Sequence, residues 1–529
     1  MKYLFRIKSL VGFLLIVPFF FASCPPLSYA SHVIFPSGTV EGPGEGDTNP
    51  PGDPPPGDKE GGAGDQTGDT DPLLLHQGDF KYEARDLLIP SRGMPLEIKR
   101  TYRSRSRYNA MFGYGWDFNF NIRLRKRSNG DVVILTCDNR RNEFKYQAGS
   151  YASPPGIYDT LTQNPGGSFA LTKKYGDQYQ FDVDGKLVSI SDRNGNSLTF
   201  AYDPNGKLPV TGTSPYFVGQ STGIVVMDFR LIQITDTVGR ALTLHYDSNG
   251  RLIKIKDFTG RVLTYQYSPA GDLISFGEIP QGGLLAGETL MGYKTVYTYT
   301  SHNLETITDA KGKLYLNNKY NDEDRVIEQT YGDPLESGGT SIISYESLAN
   351  QTTVTDRKGF QTIWTFDDNS NPIRKEVFTK NIRAGDPASY LTLYEYDSNL
   401  EMSKITYPKG NVTQYQYDLK GNLLEMRRKG QGQNPDIVTS FTYEPRFNQV
   451  KTAADPRQNV TTYTYDYELG EGERGNLKKI TYPSVDGQTI ESHFTYNTFG
   501  QILTHQDPNG NVTKYEYFPL TGYLKKITQ

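Results

Sequence analysis

The sequence predicts an all-β protein whose second half is a repeat array of antiparallel, tyrosine-rich hairpins. Three observations carry this. The 529 residues include 38 Tyr and 26 Phe against 7 Met, and aromatic residues suit pleated, half-buried strands. The 53 Gly and 31 Pro, with Asn and Asp, supply the turns between them. Aromatic residues also recur at a 21-residue spacing, the mark of a repeat architecture. A chain this long exceeds what one compact core accommodates. Its net charge of −4 and mean hydropathy of −0.59 give no general pull toward nucleic acid or membrane.

Residues 1–30 read as a secretory signal peptide. Lys2, Arg6 and Lys8 precede an uncharged apolar run from Ser9 to Ala22, shorter than the roughly 20 residues a spanning helix needs. Cleavage after Ser28-Tyr29-Ala30 leaves Ser31 as the mature N-terminus. Phe21-Ala22-Ser23-Cys24 instead resembles a lipobox, making Cys24 a lipidation site and the one route to a membrane. The soluble form is favoured, because Phe21 is an unusual lead residue and Pro25-Pro26 follow the cysteine. The other cysteine, Cys137, then has no partner in the body, so the fold is expected not to depend on disulfides. Residues 31–72 form a linker. From Ser37 to Asp71 nine acidic residues stand against Lys59 alone, with Pro54-Pro55-Pro56 and almost nothing apolar. Such a segment cannot bury enough surface to offset its ordering entropy and is expected to stay disordered, as a spacer or a solvated tail.

Residues 73–165 read as a separate β-rich unit. Leu96 to Tyr102 alternates apolar and polar after a Pro/Gly turn, and Asn129-Gly130-Asp131 turns into a strand from Val132 to Leu135. Trp116, Phe118 and Phe120 fall on one face, with Asp117, Asn119 and Asn121 on the other. Arg103, Arg105 and Arg107, with Arg123, Arg125, Lys126 and Arg127, are expected on the solvent face of strands, since no nucleic-acid motif accompanies them.

Residues 166–529 repeat. The 21-residue spacing joins Phe181 to Tyr202, Tyr246 to Tyr267, Tyr299 to Tyr320, Tyr345 to Phe366, Tyr396 to Tyr417 and Tyr496 to Tyr517, while Tyr443 to Tyr465 spans 22. A turn glycine follows the first aromatic by 14 residues at Gly195, Gly260, Gly359, Gly410 and Gly510, and by 13 at Gly312. In one unit an aromatic ends a strand, Asp or Asn with Gly turns the chain, and the returning strand puts Tyr265 and Tyr267 on one face. A lone hairpin is marginal, so each must pair with its neighbours and extend one sheet. Burying one such ring contributes at most about 4–6 kcal/mol, from about 150–250 Å² at about 25 cal/mol per Å². The repeat aromatics are therefore expected to be structural.

The Tyr-Asp pairs Tyr202-Asp203, Tyr246-Asp247, Tyr396-Asp397, Tyr417-Asp418 and Tyr465-Asp466, three of them in a full Tyr-Asp-x-x-Gly, resemble the YD (RHS) repeats of bacterial Rhs proteins, wall-associated relatives, toxin-complex B/C components and teneurins. Phe181-Asp182, Phe366-Asp367 and Tyr496-Asn497 are variants of it. Asp86 to Gly93, Arg100-Thr101-Tyr102 and Gly113-Tyr114-Gly115-Trp116 resemble the domain that precedes such repeats. The resemblance implies a spiralling sheet, here a partial β-shell, which in the family often encloses a toxic C-terminal domain or serves adhesion. Neither the core that closes such a shell nor a cargo domain stands in these residues, and Leu524 to Gln529 ends where the next turn is due. The expectation is the leading part of a longer protein, partnered by a downstream repeat, core or toxin segment.

No enzyme chemistry is expected. The six histidines lack metal-ligand spacing, and no nucleophile elbow, P-loop or dinucleotide fingerprint is present. His245 falls on the repeat spacing and reads as a strand-face residue. Asp192 to Asn196 and Asp507 to Asn511 resemble the start of a calcium loop but lack its closing glutamate, so Asx-turns explain them. Asn411, Asn459 and Asn511 match a glycosylation sequon through repetition alone. No cofactor is expected. A cell-surface glycan stacking on exposed tyrosines is the alternative partner; nucleic acid is not one.

Overall fold

A computed structural model describes residues 73–529, apart from residues 107, 139, 211–225, 280–293, 333–338, 381 and 383. The expected signal segment, Cys24 and the linker lie outside the described residues. Among the described residues, two short 3-10 turns aside, every regular element is a strand. Thirty strands, from Thr160–Gln163 to Leu524–Thr528, pair antiparallel in sequence order to make one open sheet. Within a strand the alternation is plain: in Val262–Tyr267, Leu263 and Tyr265 are buried and Gln266 is exposed.

The turns explain the spacing. Asp247 Oδ1 accepts the amides of Asn249 (2.9 Å) and Arg251 (2.8 Å), and the Gly250 amide donates to the Asp247 carbonyl (3.1 Å). Gly250 sits at φ 80°, a conformation open to glycine without a Cβ clash. The same clasp recurs at Asp192, Asp418 and Asp507, the two calcium-like sequences among them. At the glycine position of other turns stand Asp324, Ser370, Leu400 and Gln458, at φ 61°, 66°, 66° and 63°. Leu400→Gly is therefore expected to stabilise its hairpin by about 1 kcal/mol, since a left-handed non-glycine costs about 1–2 kcal/mol and glycine returns part of that as chain entropy. Slower amide exchange in Ser389–Tyr396 and Met402–Thr406 checks it.

Strand twist accumulates along so long a sheet and winds it back on itself. Turns near the start meet turns far along the chain. Tyr158 Oη donates to Glu401 Oε1 (2.9 Å), Lys174 Nζ to the Gly421 carbonyl (2.8 Å), Asn196 Nδ2 to the Phe499 carbonyl (3.0 Å), and Arg240 Nη1 to Tyr523 Oη (2.8 Å). These pairs lie 243, 247, 303 and 283 residues apart, so a second coil rides along the first.

The N-terminal unit plugs the inside of this winding. Leu73–Leu74, Asp79–Ile89, Leu96–Arg103 and Trp116–Phe118 form one four-stranded sheet in that spatial order. A second joins Arg123–Lys126, Val132–Leu135, Arg141–Gln147 and Ser150–Ala152. Phe80, Tyr102, Phe112, Trp116, Phe118 and Phe120 share one continuous core with Leu244, Tyr265, Tyr297 and Trp364 of the long sheet.

One expectation needs correction. Arg103 and Arg123 do not face solvent; they are 1% and 3% exposed, because the plug is covered on both faces. For the same reason Asp117, Asn119 and Asn121 are buried like the aromatics between them. Cys137 is buried as well.

Candidate functional site: a phenol ladder and a buried arginine

The repeat tyrosines form a hydrogen-bonded ladder. Each phenol donates to a carbonyl near the start of the preceding strand: Tyr202 to Leu187 (3.0 Å), Tyr246 to Leu231 (2.6 Å), Tyr267 to Leu252 (2.7 Å) and Tyr299 to Leu273 (2.8 Å). Tyr320 donates to Leu304 (2.8 Å), Tyr345 to Val326 (2.5 Å), Tyr396 to Pro372 (3.0 Å) and Tyr417 to Met402 (3.1 Å). Tyr443 donates to Leu423 (2.9 Å), Tyr465 to Val450 (2.5 Å), Tyr496 to Leu477 (2.8 Å) and Tyr517 to Ile502 (2.9 Å).

A register shift falls just before most of these tyrosines, as between Gln266 and Tyr267 and between Gln416 and Tyr417. Such a bulge leaves backbone groups outside the regular ladder, and the phenol reaches the carbonyl of the adjacent strand. Phe181 and Phe366, 1% and 4% exposed, hold the same place by packing alone. Burial pushes the phenols of Tyr267, Tyr299 and Tyr320 well above their ordinary value, so they remain protonated donors. A ring committed in this way is poorly disposed to stack on a sugar.

Sequence reasoning missed the centre of the plug. Arg100, fully buried, donates Nε to Asp86 Oδ2 (2.5 Å) and Nη2 to Asp86 Oδ1 (2.8 Å) and to Tyr297 Oη (3.2 Å). Tyr265 Oη donates to the same Asp86 Oδ2 (2.9 Å). The guanidinium lies 4.6, 5.2, 5.6 and 5.7 Å from the rings of Trp116, Phe276, Tyr265 and Tyr297. Burial opposes the charge, but Asp86 and Tyr297 outweigh it and hold Arg100 well above its ordinary value. One cation thus ties the plug to three strands of the long sheet. Arg103 is clasped by Asp79 in the same fashion, and Asp79 Oδ1 also accepts from Ser104 Oγ (3.1 Å). Further bolts run from Trp116 Nε1 to Tyr299 Oη (2.8 Å) and from Tyr267 Oη to the Met111 carbonyl (3.0 Å). The stretches beginning at Asp86 and at Arg100 stood out in the sequence as motifs, but nothing there paired the two residues or buried them.

At the seam between coils, burial pushes the half-buried Lys174 down to about 8, against the pull of Glu401, Asp418 and Asp159. The unfolded chain keeps this proton to about 10.4. Between those values the unfolded state binds more protons at this site, so the contribution of Lys174 to stability should rise with pH from 8 toward 10, seen as a difference between the native and substituted chains, and its penalty is fully present below 8. Lys174→Met is expected to be the more stable chain at pH 8 by a margin that shrinks toward pH 10, read from denaturation midpoints of the two chains across the window.

Among the described residues, no group of three or more His, Cys, Asp or Glu is placed to hold a metal ion. His245 is exposed on its strand, and the aspartates of the calcium-like sequences are committed to turn amides. The site is architectural: a ladder, a plug and a seam.

Comparison with known proteins bears on this architecture. Residues 70–144 match a domain of unknown function (DUF6531), and residues 181–215, 230–262 and 246–275 match the RHS repeat. The chain carries RHS repeats. Its RHS array is similar to solved chains titled TcdB2-TccC3 without the hypervariable C-terminal region, at 12% identity over 82% of this chain and 26% of that one, with a TM-score of 0.46. Among curated proteins it is 24% identical over 180 residues to the double-stranded DNA deaminase toxin A of Burkholderia cenocepacia (strain H111), covering 34% of this chain and 11% of that protein. It is 26% identical over 132 residues to the tRNA nuclease WapA of Bacillus subtilis (strain 168), covering 25% of this chain and 6% of that protein. The RHS-repeat chain thus spans a small part of the length of these relatives.

Proposed function

We propose that this RHS-repeat protein is an exported, non-catalytic scaffold, the leading part of a shell that encapsulates or presents a C-terminal toxin in competition between cells. The observation that carries the reading is the sheet itself: it winds back along its own turns and holds a separate β-unit against its inner face. A wall of this kind surrounds a volume and offers no reactive cluster on the way. The pairing of the DUF6531 domain with RHS repeats supports it, as do relatives named as a deaminase toxin and a nuclease. Export rests on the basic start, the apolar run and the small-residue cleavage site.

The test is fractionation of the native producer with N-terminal sequencing and limited proteolysis. The expected product lies outside the cytoplasm, begins at Ser31 or a lipid-modified Cys24, and shields a C-terminal segment from protease until the sheet is unfolded. A cytoplasmic product retaining Met1, or one that binds surface glycan and shields nothing, overturns the reading.

A further inference from the structure

In the stretch from Asp86 to Gly93, Asp86 holds Arg100, and the loop of residues 90–93 that follows reaches the seam between the two coils. The Pro90 carbonyl accepts from Arg240 Nη2 (2.7 Å), and Ser91 Oγ donates to Asp236 Oδ2 (2.7 Å). Gly93, at φ 74°, packs so closely on Asn196 that a Cβ added to it would stand 2.2 Å from the asparagine Cβ. Gly522, in the last turn, meets the loop in the same way: its φ is 71°, and an added Cβ would lie 2.7 Å from the Arg92 Cβ. Both positions need glycine, and the loop is clamped between turns of the first coil and the second.

Held there, Arg92 lays its guanidinium on the Phe499 ring, 3.4 Å from the centroid, and lines a cleft of about 330 Å³ with Phe499, Leu503, Tyr515, Phe518 and Pro519. The polar neighbours are committed to one another. Asn497 Oδ1 accepts the amides of Phe499 and Gln501 (both 3.0 Å), and Asn497 Nδ2 donates to Gln501 Oε1 (3.0 Å). Gln501 Nε2 donates to the Gly522 carbonyl (2.7 Å). Asp236 is held by Arg240 at 2.7 Å, and Glu516, on the cleft as well, has Lys525 Nζ 3.9 Å away. Arg92 differs. Among the described residues nothing accepts from its guanidinium, and its Nε is buried without an acceptor.

We propose that this cleft binds a small aromatic monocarboxylate, its carboxylate on Arg92 and its ring on the apolar wall. The charge sets the first half of that choice. One uncompensated guanidinium matches one negative charge, and its planar fork of N–H donors fits the two oxygens of a carboxylate. Arg92 is the one cation among the described residues lining the cleft, so a phosphate dianion finds no second one.

The lining sets the second half. Leu503 and Phe518 stay 38% and 48% exposed, large apolar groups that a flat ring would take from water. Phe499 cannot serve as that stacking surface, because Arg92 already lies over it; the ring instead covers one face of the guanidinium and keeps its N–H edge for the ligand. A volume of about 330 Å³ stands near the lower end of small-molecule clefts, about 300–1,000 Å³. Because the loop joins the plug to both coils, a ligand that binds only the folded seam should also stabilise it. This assignment does not depend on a toxin cargo.

Saturation-transfer NMR and calorimetry of the full chain with phenylacetate test it. The expected dissociation constant is on the order of 0.1–1 mM for so small a ligand, and excess phenylacetate should raise the denaturation midpoint. Phenylacetamide, which keeps the ring without the charge, and inorganic phosphate should each bind about tenfold more weakly or worse. Arg92→Gln should weaken phenylacetate binding by about tenfold or more. Phe518→Ala, at a half-exposed ring, should weaken it several-fold and leave the fold intact. If Arg92→Gln does not fold, Phe518→Ala and the phenylacetamide comparison decide. No binding of phenylacetate, equal binding of its amide, or binding that survives both substitutions overturns the proposal. So does phosphate binding as tightly as phenylacetate, which makes the cleft an unselective anion site.

Discussion

Asp86→Ala is expected to destabilise the plug by about 3–5 kcal/mol, the cost of leaving a buried charge without its partner. The figure follows from the geometry. Arg100 is fully buried, and its bidentate bonds to Asp86 measure 2.5 and 2.8 Å. Tyr265 loses its acceptor in the same stroke. The double substitution Asp86→Leu with Arg100→Met should recover most of the loss, because a buried ion pair and its apolar replacement are often close in free energy. Denaturation followed by tryptophan fluorescence reads the effect directly, since Trp116 lies 4.6 Å from the guanidinium and only one other tryptophan is present. Equal loss in the single and double variants would show that packing of the arginine stem, not its charge, is what matters.

The contrast between plug and array explains what the sequence reveals. Every strand pairing in the array joins consecutive strands, so the information for it lies within one or two hairpins. The 21-residue spacing and the Asp-x-x-Gly turns make that visible. Even there the reason for tyrosine over phenylalanine was hidden, because Tyr246 reaches the Leu231 carbonyl across a bulge that no periodicity announces. The plug is different. Arg100 and Tyr297 are 197 residues apart, and nothing local marks either as the other's partner. Alternation places Arg103 on the polar side of its strand, and the inference to solvent fails because the plug's second face is buried as well. The seam is hidden for a third reason. Which turn meets which depends on twist summed over many strands, a quantity no single unit carries.

The ladder itself yields the second large effect. Tyr267→Ala should cost about 3–5 kcal/mol, as truncation of other buried aromatics does. Tyr267→Phe divides that loss. It keeps the ring and removes only the hydroxyl, which donates to both the Leu252 carbonyl (2.7 Å) and the Met111 carbonyl (3.0 Å). Met111 retains the Leu252 amide as a donor at 2.7 Å, so one acceptor is left short and not two. The expected cost of Tyr267→Phe is therefore about 1–2 kcal/mol. Tyr417 supplies the comparison, since its phenol donates to the Met402 carbonyl (3.1 Å) and its ring stands outside the core that the plug shares with the sheet. Tyr417→Phe should cost less, about 0.5–1 kcal/mol, and Tyr417→Ala less than Tyr267→Ala. In an array each unit contacts mainly its neighbours, so amide exchange should rise around Met402–Thr406 and Leu423–Arg428 while the plug stays protected. Tyr267→Ala should instead loosen the plug, through Met111. If both alanine variants lose protection over the same residues, the ladder and the plug form one cooperative body, and the division between them drawn from these contacts is wrong.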